Sequence, residues 1–244
     1  MTAGASPLVF FVHMQKTAGT TLYVRLRRHF GDEAVYPTSS DQRAHKASIH
    51  TGLLLRRLGE LPDTMRVIAG HFPLCVTEMV DRPFTTITVL RDPVERTLSA
   101  LRDVRERDPR FEGWPLEKIY EDPIFFPCVI ENHMVKMLAI RPEELTDGML
   151  TPLAFHDGHL ELAITALHER IDAWGVQEDF ESFCDELTQR FGWDLGPPRV
   201  TNASRPGDVA DDFRERIARD NAFDVELYRH AVALHRQRSD PPSR

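Results

Sequence analysis

Only three cysteines occur in the 244 residues, Cys75, Cys128 and Cys184, widely spaced and with no CxxC pair. An odd, scattered set supports neither a disulfide framework nor a zinc knuckle, and it suits a reducing compartment. Long apolar runs are missing too. No stretch of 18 apolar residues is present, and the early run LVFFV has no basic segment before it, so neither a membrane span nor a secretory leader is expected. The protein is therefore expected to be cytoplasmic. Acidic residues are absent ahead of Asp32, whereas Lys16, Arg25, Arg27 and Arg28 all fall in that first segment. The net charge of −8 argues against nucleic-acid binding, which needs a basic face. The local basic excess nevertheless marks one end that draws anions. Internal repeats and low-complexity linkers are also lacking, and 41% hydrophobic with 28% charged residues is the balance of a folded soluble chain. This length suffices for one substantial core, expected over 1–238, with SDPPSR at 239–244 as a frayed tail.

What is present alternates between two periods. Residues 8–13, 66–70 and 85–90 are short β-rich apolar runs, and AWGV at 173–176 is a weaker fourth because of its glycine. Helical spacing covers about 20–30, 42–58, 93–107, 124–140, 158–171, 178–191, 208–220 and 222–237, with Asp41 and Asp208 placed as N-caps. Strands alternating with helices predict an α/β fold, a single domain with a mostly parallel sheet covered on both faces. Ligands of such sheets sit beyond the carboxyl ends of the strands.

Two segments at strand ends carry the chemistry. In FFVHMQKTAGTTLYVRLRRHF, residues 10–30, a buried strand runs through a turn holding Gly19 into a helix. Free amides and the positive helix end then converge on one point. Lys16 adds a full charge, and the hydroxyls of Thr17, Thr20 and Thr21 add donors for phosphate or sulfate oxygens. The order GxxxxGK[ST] is absent, since Lys16 precedes Gly19, which speaks against an ordinary magnesium–triphosphate cradle. The plain alternative is a strand–helix turn with threonine caps. In ITVLRDPVERTLSALRD, residues 87–103, Arg91 falls at the end of a strand, Asp92 caps the next helix, Pro93 takes its first turn and Ser99 lies two turns in. Arg91 and Ser99 are candidates to hold a second phosphate. The alternative is a surface Arg91–Glu95 pair with Ser99 as packing.

Together, HMQKTAGTT and LRDPVERTLSAL resemble the 5′-phosphosulfate loop and the 3′-phosphate element of sulfotransferases that use 3′-phosphoadenosine 5′-phosphosulfate (PAPS). The resemblance is to the group containing uronyl and heparan sulfate 2-O-sulfotransferases, with H-x-P-K-T-A-G-T-[ST] and R-D-P-x-x-R-x-x-S as its patterns. It implies a soluble sulfotransferase with a P-loop-like strand–loop–helix. Lys16, Thr17, Ala18, Gly19, Thr20 and Thr21 would bind the phosphosulfate, and Arg91 and Ser99 the 3′-phosphate. Gln15 stands in place of the usual proline, which removes no donor. VIAGHFP, residues 67–73, resembles the family's G-H segment, so His71 is the implied catalytic base, with a structural histidine as the alternative. RVTNASRP within the turn-rich 196–208 stretch, followed by DNAFDVELYRHAVALHRQ, resembles the family's cofactor-closing loop and last helix. Arg199 and Asn202 become candidates for adenine or 3′-phosphate contacts, against a plain turn. ENHMVKMLAI also resembles a family helix, though Met134, Met137 and Leu138 are simply read as core.

The expected reaction moves a sulfuryl group from PAPS to an acceptor hydroxyl, of a small molecule or carbohydrate. His71 takes the proton, and Lys16 with the loop amides stabilises the developing charge. A sulfuryl group carries less charge than a phosphoryl group, so no metal is required. An ATP-dependent small-molecule kinase and a non-catalytic nucleotide-binding module are the alternatives. HDGHLE, with His156, His159 and Glu161, lacks an HExxH pattern and is read as a solvated helix start. RDVRERDPR, residues 102–110, is read as a solvated helix face.

Overall fold

LVFFV is apolar at every position because its strand is covered on both sides. A computed structural model, describing residues 7–41, 46–60, 64–146, 148–197 and 209–239, places it as β1, Leu8–Val12, wholly buried in the middle of the sheet. Beside it on one flank lie β3, Val67–Ile68, and β2, Val35–Tyr36. On the other lie β4, Phe84–Leu90, and β5, Ala173–Val176. The order is β2-β3-β1-β4-β5 with every pairing parallel, running from Leu8↔Phe84 to Val12↔Thr88 between the two central strands.

Side-chain alternation along β1 sends its residues into two cores. Leu8, Phe10 and Val12 join α5, His133–Ala139, α6, Asp157–Glu169, and α9, Ala222–Ser239. Val9 and Phe11 join α1, Gly19–Phe30, and α7, Phe180–Phe191. A third cluster ties α3, Pro93–Arg107, to α4, Leu116–Tyr120, and α8, Asp211–Asp220. The first two clusters pack on the two faces of one sheet and the third joins the helices beside it, and the described residues form one α/β domain. Among them no helix is long and apolar enough to cross a membrane.

Local chemistry explains where the elements depart from expectation. The edge strand β2 is two residues long and leaves no readable pattern. Gly175, which weakened β5 as a strand signal, is where α7 packs on the sheet: a Cβ there would stand 2.5 Å from Phe183 Cγ. Of the 42–58 helix, 42–45 lie outside the described residues and the rest is corrected to α2, Thr51–Gly59, because the His50 side chain accepts the Leu53 amide and starts it there. Asp41 is not its cap; it accepts from the Thr38 amide and hydroxyl instead. Asp208 and residues 240–244 lie outside the described residues, and α9 runs to Ser239.

The 124–140 helix is broken in two. Phe126–Ile130 winds as a π turn, Asn132 turns left-handed at φ 39°, and α5 follows. The carbonyls loosened by the π turn are met by two buried cations: Lys136 Nζ donates to Cys128 O at 2.7 Å and Arg96 to Ile130 O at 3.0 Å. Burial lowers Lys136 to about 8 and Arg96 to about 10. Asp224, buried on α9, accepts the Met134 and Val135 amides at 3.1 and 2.8 Å, while the Asn132 side chain accepts the Phe223 and Asp224 amides. The two helices thus cap each other across the core.

Asp224→Ala strips α5 of both caps and removes the carboxylate acting on buried Arg96. Urea unfolding should show a loss of about 3–5 kcal/mol, the scale of breaking a buried charge network, with Asp224→Asn losing less. A loss below about 1 kcal/mol would show that these contacts carry little stability.

Candidate active site

The chain leaves β1 toward β2 and β3, and leaves β4 toward β5 on the other flank, so the two adjacent strand ends open a crevice. The loop after β1 and Arg91 after β4 both reach it. In that loop Lys16 and Ala18 are left-handed, each at φ 66°, a conformation costing roughly 1–2 kcal/mol per non-glycine residue. Left-handed residues in such turns form anion-binding amide concavities. Two bonds hold this one: Arg91 Nη1 donates to Lys16 O at 2.9 Å, and Thr17 Oγ1 to Met14 O at 3.0 Å. The Thr17 hydroxyl, expected to face an anion, is fully buried and serves the loop itself.

Gly19 opens α1 with the His13 ring against it. A Cβ would lie 2.0 Å from His13 Cδ2, so only glycine fits. No side chain caps this helix end, and its first turn holds no acidic residue. Its positive end therefore stays available for an anion. Arg91, with its desolvated guanidinium, lies behind the loop.

His71 follows β3. Its amide donates to Ser48 O, and its Nδ1 is 2.7 Å from His13 O. A carbonyl only accepts, so Nδ1 carries the proton and Nε2 keeps a free lone pair in the neutral ring. The same reasoning fixes His13, whose Nδ1 donates to Ala69 O while its ring stacks on Phe11 and tilts on His71 at 4.3 Å. Burial lowers the His71 pKa, with Lys16 adding to the effect, and holds His13 well below the ordinary value. His133, whose Nε2 accepts the Gln15 amide, is likewise held well down by burial.

A cleft of about 330 Å³ gathers His13, Gln15, Lys16, Thr20, His71, Asp103 and Arg107 on its polar side. A second, largely apolar cavity of about 400 Å³ lies beside α1, lined by Thr20, Thr21, Val24, Arg25, Arg28, Leu195 and Pro197. Thr20 belongs to both. Ser99 is buried on α3 and, like Arg91, lines neither. Arg91 and Glu95 do not form the surface pair offered as an alternative: Glu95 pairs with Arg214. Arg199 and Asn202 lie outside the described residues. Glu78, the acidic residue nearest His71 in the sequence, is ion-paired with Arg170 at 2.6 Å and does not line the cleft. His156 and His159 form a reciprocal capping box at the start of α6.

Two residues of the site escape the motif reading. His13 stands inside the quoted loop as its first letter, the signal that would have found it. Asp103 was read as part of a solvated face, yet it accepts from Lys16 Nζ at 3.0 Å and Arg107 Nε at 3.1 Å inside the cleft. Its position, one turn after Ser99 on α3, was the available signal. With side-chain exposures of 29% and 31%, the Lys16–Asp103 pair is solvent-screened and worth under about 1 kcal/mol, so an arriving anion can displace Asp103.

The crevice brings Lys16, Thr20 and His71 together beside an uncapped helix start at the carboxyl ends of the strands. No protein-family model matches the sequence, and no curated protein matches it. Among solved structures, a sulfotransferase from Alicyclobacillus acidocaldarius is similar with 14% identity and a TM-score of 0.49, over 91% of this chain and 94% of that one.

The neutral histidines set an acid dependence. Their folded pKa values lie below the unfolded value near 6.5, so their stabilisation is present above that pH and falls as pH drops toward the folded values. Asp224, raised by burial to about 6, works oppositely: its contribution is full below the unfolded carboxylate value and is lost as pH rises through 6. Three depressed histidines act against the raised carboxyls of Asp224 and Glu131, so urea unfolding free energy should fall from pH 7 to 5.5. A flat or rising dependence there would contradict the neutral assignment.

Proposed function

We propose that this protein is a sulfotransferase moving a sulfuryl group from PAPS to an acceptor hydroxyl, with His71 as the general base. The observation that carries the reading is the His71 ring, held neutral with its Nδ1 proton on the His13 carbonyl, in one cleft with Lys16 and Thr20. The residues present fit an anionic donor: an uncapped helix start, a left-handed loop, Lys16 and Arg91. The donor supplies a sulfuryl group already joined to a phosphate leaving group. Thr20, Thr21 and the amides of Ala18 and Gly19 would hold its 5′ end, with the phosphosulfate replacing Asp103 as the partner of Lys16. Arg91 and Ser99 are assigned the 3′-phosphate, and Arg199 and Asn202 the closing contacts. His71 Nε2 takes the acceptor proton and Lys16 stabilises charge growing on the leaving oxygen. The resemblance to the 2-O-sulfotransferase group rests on the loop and Arg91–Ser99 motifs. A cytoplasmic location is part of the same proposal.

Adenosine 3′,5′-bisphosphate should bind much more tightly than AMP, and Arg91→Ala should remove most of that preference, because an Arg–phosphate pair is charge-assisted. Equal calorimetric affinities for the two nucleotides would sink the reading.

His71→Ala should leave bisphosphate affinity nearly unchanged and lower single-turnover transfer by about 10²–10⁴-fold, the contribution of a positioned base. Transfer by the unaltered protein should persist in excess EDTA. Near-normal transfer by His71→Ala would move the base elsewhere, with Asp103 the carboxylate in the cleft. Activity dependent on added magnesium would favour the kinase alternative.

A further inference from the structure

The cleft that holds His71 and Lys16 also has an apolar lining. It is built from Ile49 ahead of α2, Val104 on α3, Phe125 and Val129 around the π turn, and Met149 and Leu150 in a short 3₁₀ turn. Four separate segments converge there with aliphatic or aromatic side chains. Beside Phe125, Ile124 leaves another apolar side chain 68% exposed.

The polar groups come from the loop after β1, Thr20 on α1, His71 and one stretch of α3, and several are already committed. His13 donates to Ala69 O, and Asp103 is shared between Lys16 and Arg107. We infer that the acceptor is a small apolar alcohol or phenol, whose hydroxyl meets His71 Nε2 while its hydrocarbon body lies on the Ile49–Phe125–Leu150 wall. The inference rests on the sulfotransferase reading and narrows it away from carbohydrate. A sugar presents hydroxyls around its whole ring, and those turned toward Ile49, Val104, Phe125, Val129, Met149 and Leu150 would meet no polar side chain there. They would be desolvated without compensation. A hydrocarbon surface gains from the same burial. At about 330 Å³ the cleft sits at the low end of the ~300–1,000 Å³ range of small-ligand pockets, suited to one or two rings rather than to a glycan chain. The chemistry balances without a further reagent: the acceptor O–H proton passes to His71 Nε2, the acceptor oxygen forms a bond to sulfur, and the bond from sulfur to the phosphate oxygen breaks.

The test is transfer of labelled sulfate from PAPS by the full chain to 4-methylphenol through 4-pentylphenol and matching n-alkanols. Methyl glucoside and a uronic-acid-containing disaccharide serve as the sugar arm. Values of kcat/KM should rise about fourfold per added methylene over the first few carbons, and the sugars should be at least about 100-fold poorer. Val129→Asn should raise KM for 4-pentylphenol about tenfold or more and flatten the chain-length dependence, with affinity for adenosine 3′,5′-bisphosphate unchanged. A flat series in the unaltered protein, sugars used as well as phenols, or no sulfation of any phenol or alkanol despite bisphosphate binding would each overturn the inference. Absence of bisphosphate binding would instead bring down the sulfotransferase reading itself. Because the series uses the unaltered protein, the outcome does not depend on the variant folding.

Discussion

The hydrogen bond from Arg91 to the Lys16 carbonyl joins the ends of the two central strands where their connections part. Loop geometry depends on it. Two non-glycine residues stay left-handed there, and the bond from β4 together with the Thr17–Met14 bond offsets the conformational cost. Through that loop the strand end fixes where α1 begins, where its positive end points and where Lys16 hangs. Arg91 is thus a structural tie first, and its proposed phosphate contact would draw on the remaining donors of the same guanidinium.

His13 links this tie to the chemistry. Its ring fills the space that a side chain at residue 19 would need, its carbonyl fixes the tautomer of His71, and its own Nδ1 is held by Ala69. One residue therefore couples helix start, His71 and neighbouring strand. Burial keeps these rings neutral, which is the state a general base requires at neutral pH. Arg96, Lys136 and Asp224 hold two helix ends and the π turn, whose Val129 lines the cleft. Buried charges there are tolerated because each meets carbonyls or amides rather than bare hydrocarbon.

Much of the architecture was legible in the sequence. The runs at 8–13 and 85–90 read as buried strands because central parallel strands are apolar on both faces. Asp92 and Pro93 marked the start of α3 because capping chemistry is local, and the structure places the Asp92 carboxylate on the Val94 and Glu95 amides. The 42–58 and 124–140 helices were misjudged for the opposite reason. Periodicity continues through His50 and Asn132, while the breaks come from a side-chain cap and from a carboxylate and an amide supplied by α9, 90 residues away.

What the sequence determined by itself is what depends on neighbours in the chain: a parallel α/β sheet, a basic turn after β1, and Lys16, Gly19, His71 and Arg91 placed just beyond the ends of its strands. Tertiary structure alone decided which groups face one another. It turned the Thr17 hydroxyl inward, gave Lys16 an acidic partner on α3, set His13 under Gly19, and assembled an apolar wall from four distant segments. Such pairings are set by packing across a sheet, where residues far apart in sequence become adjacent only once the strand order is established, and no local propensity encodes that order.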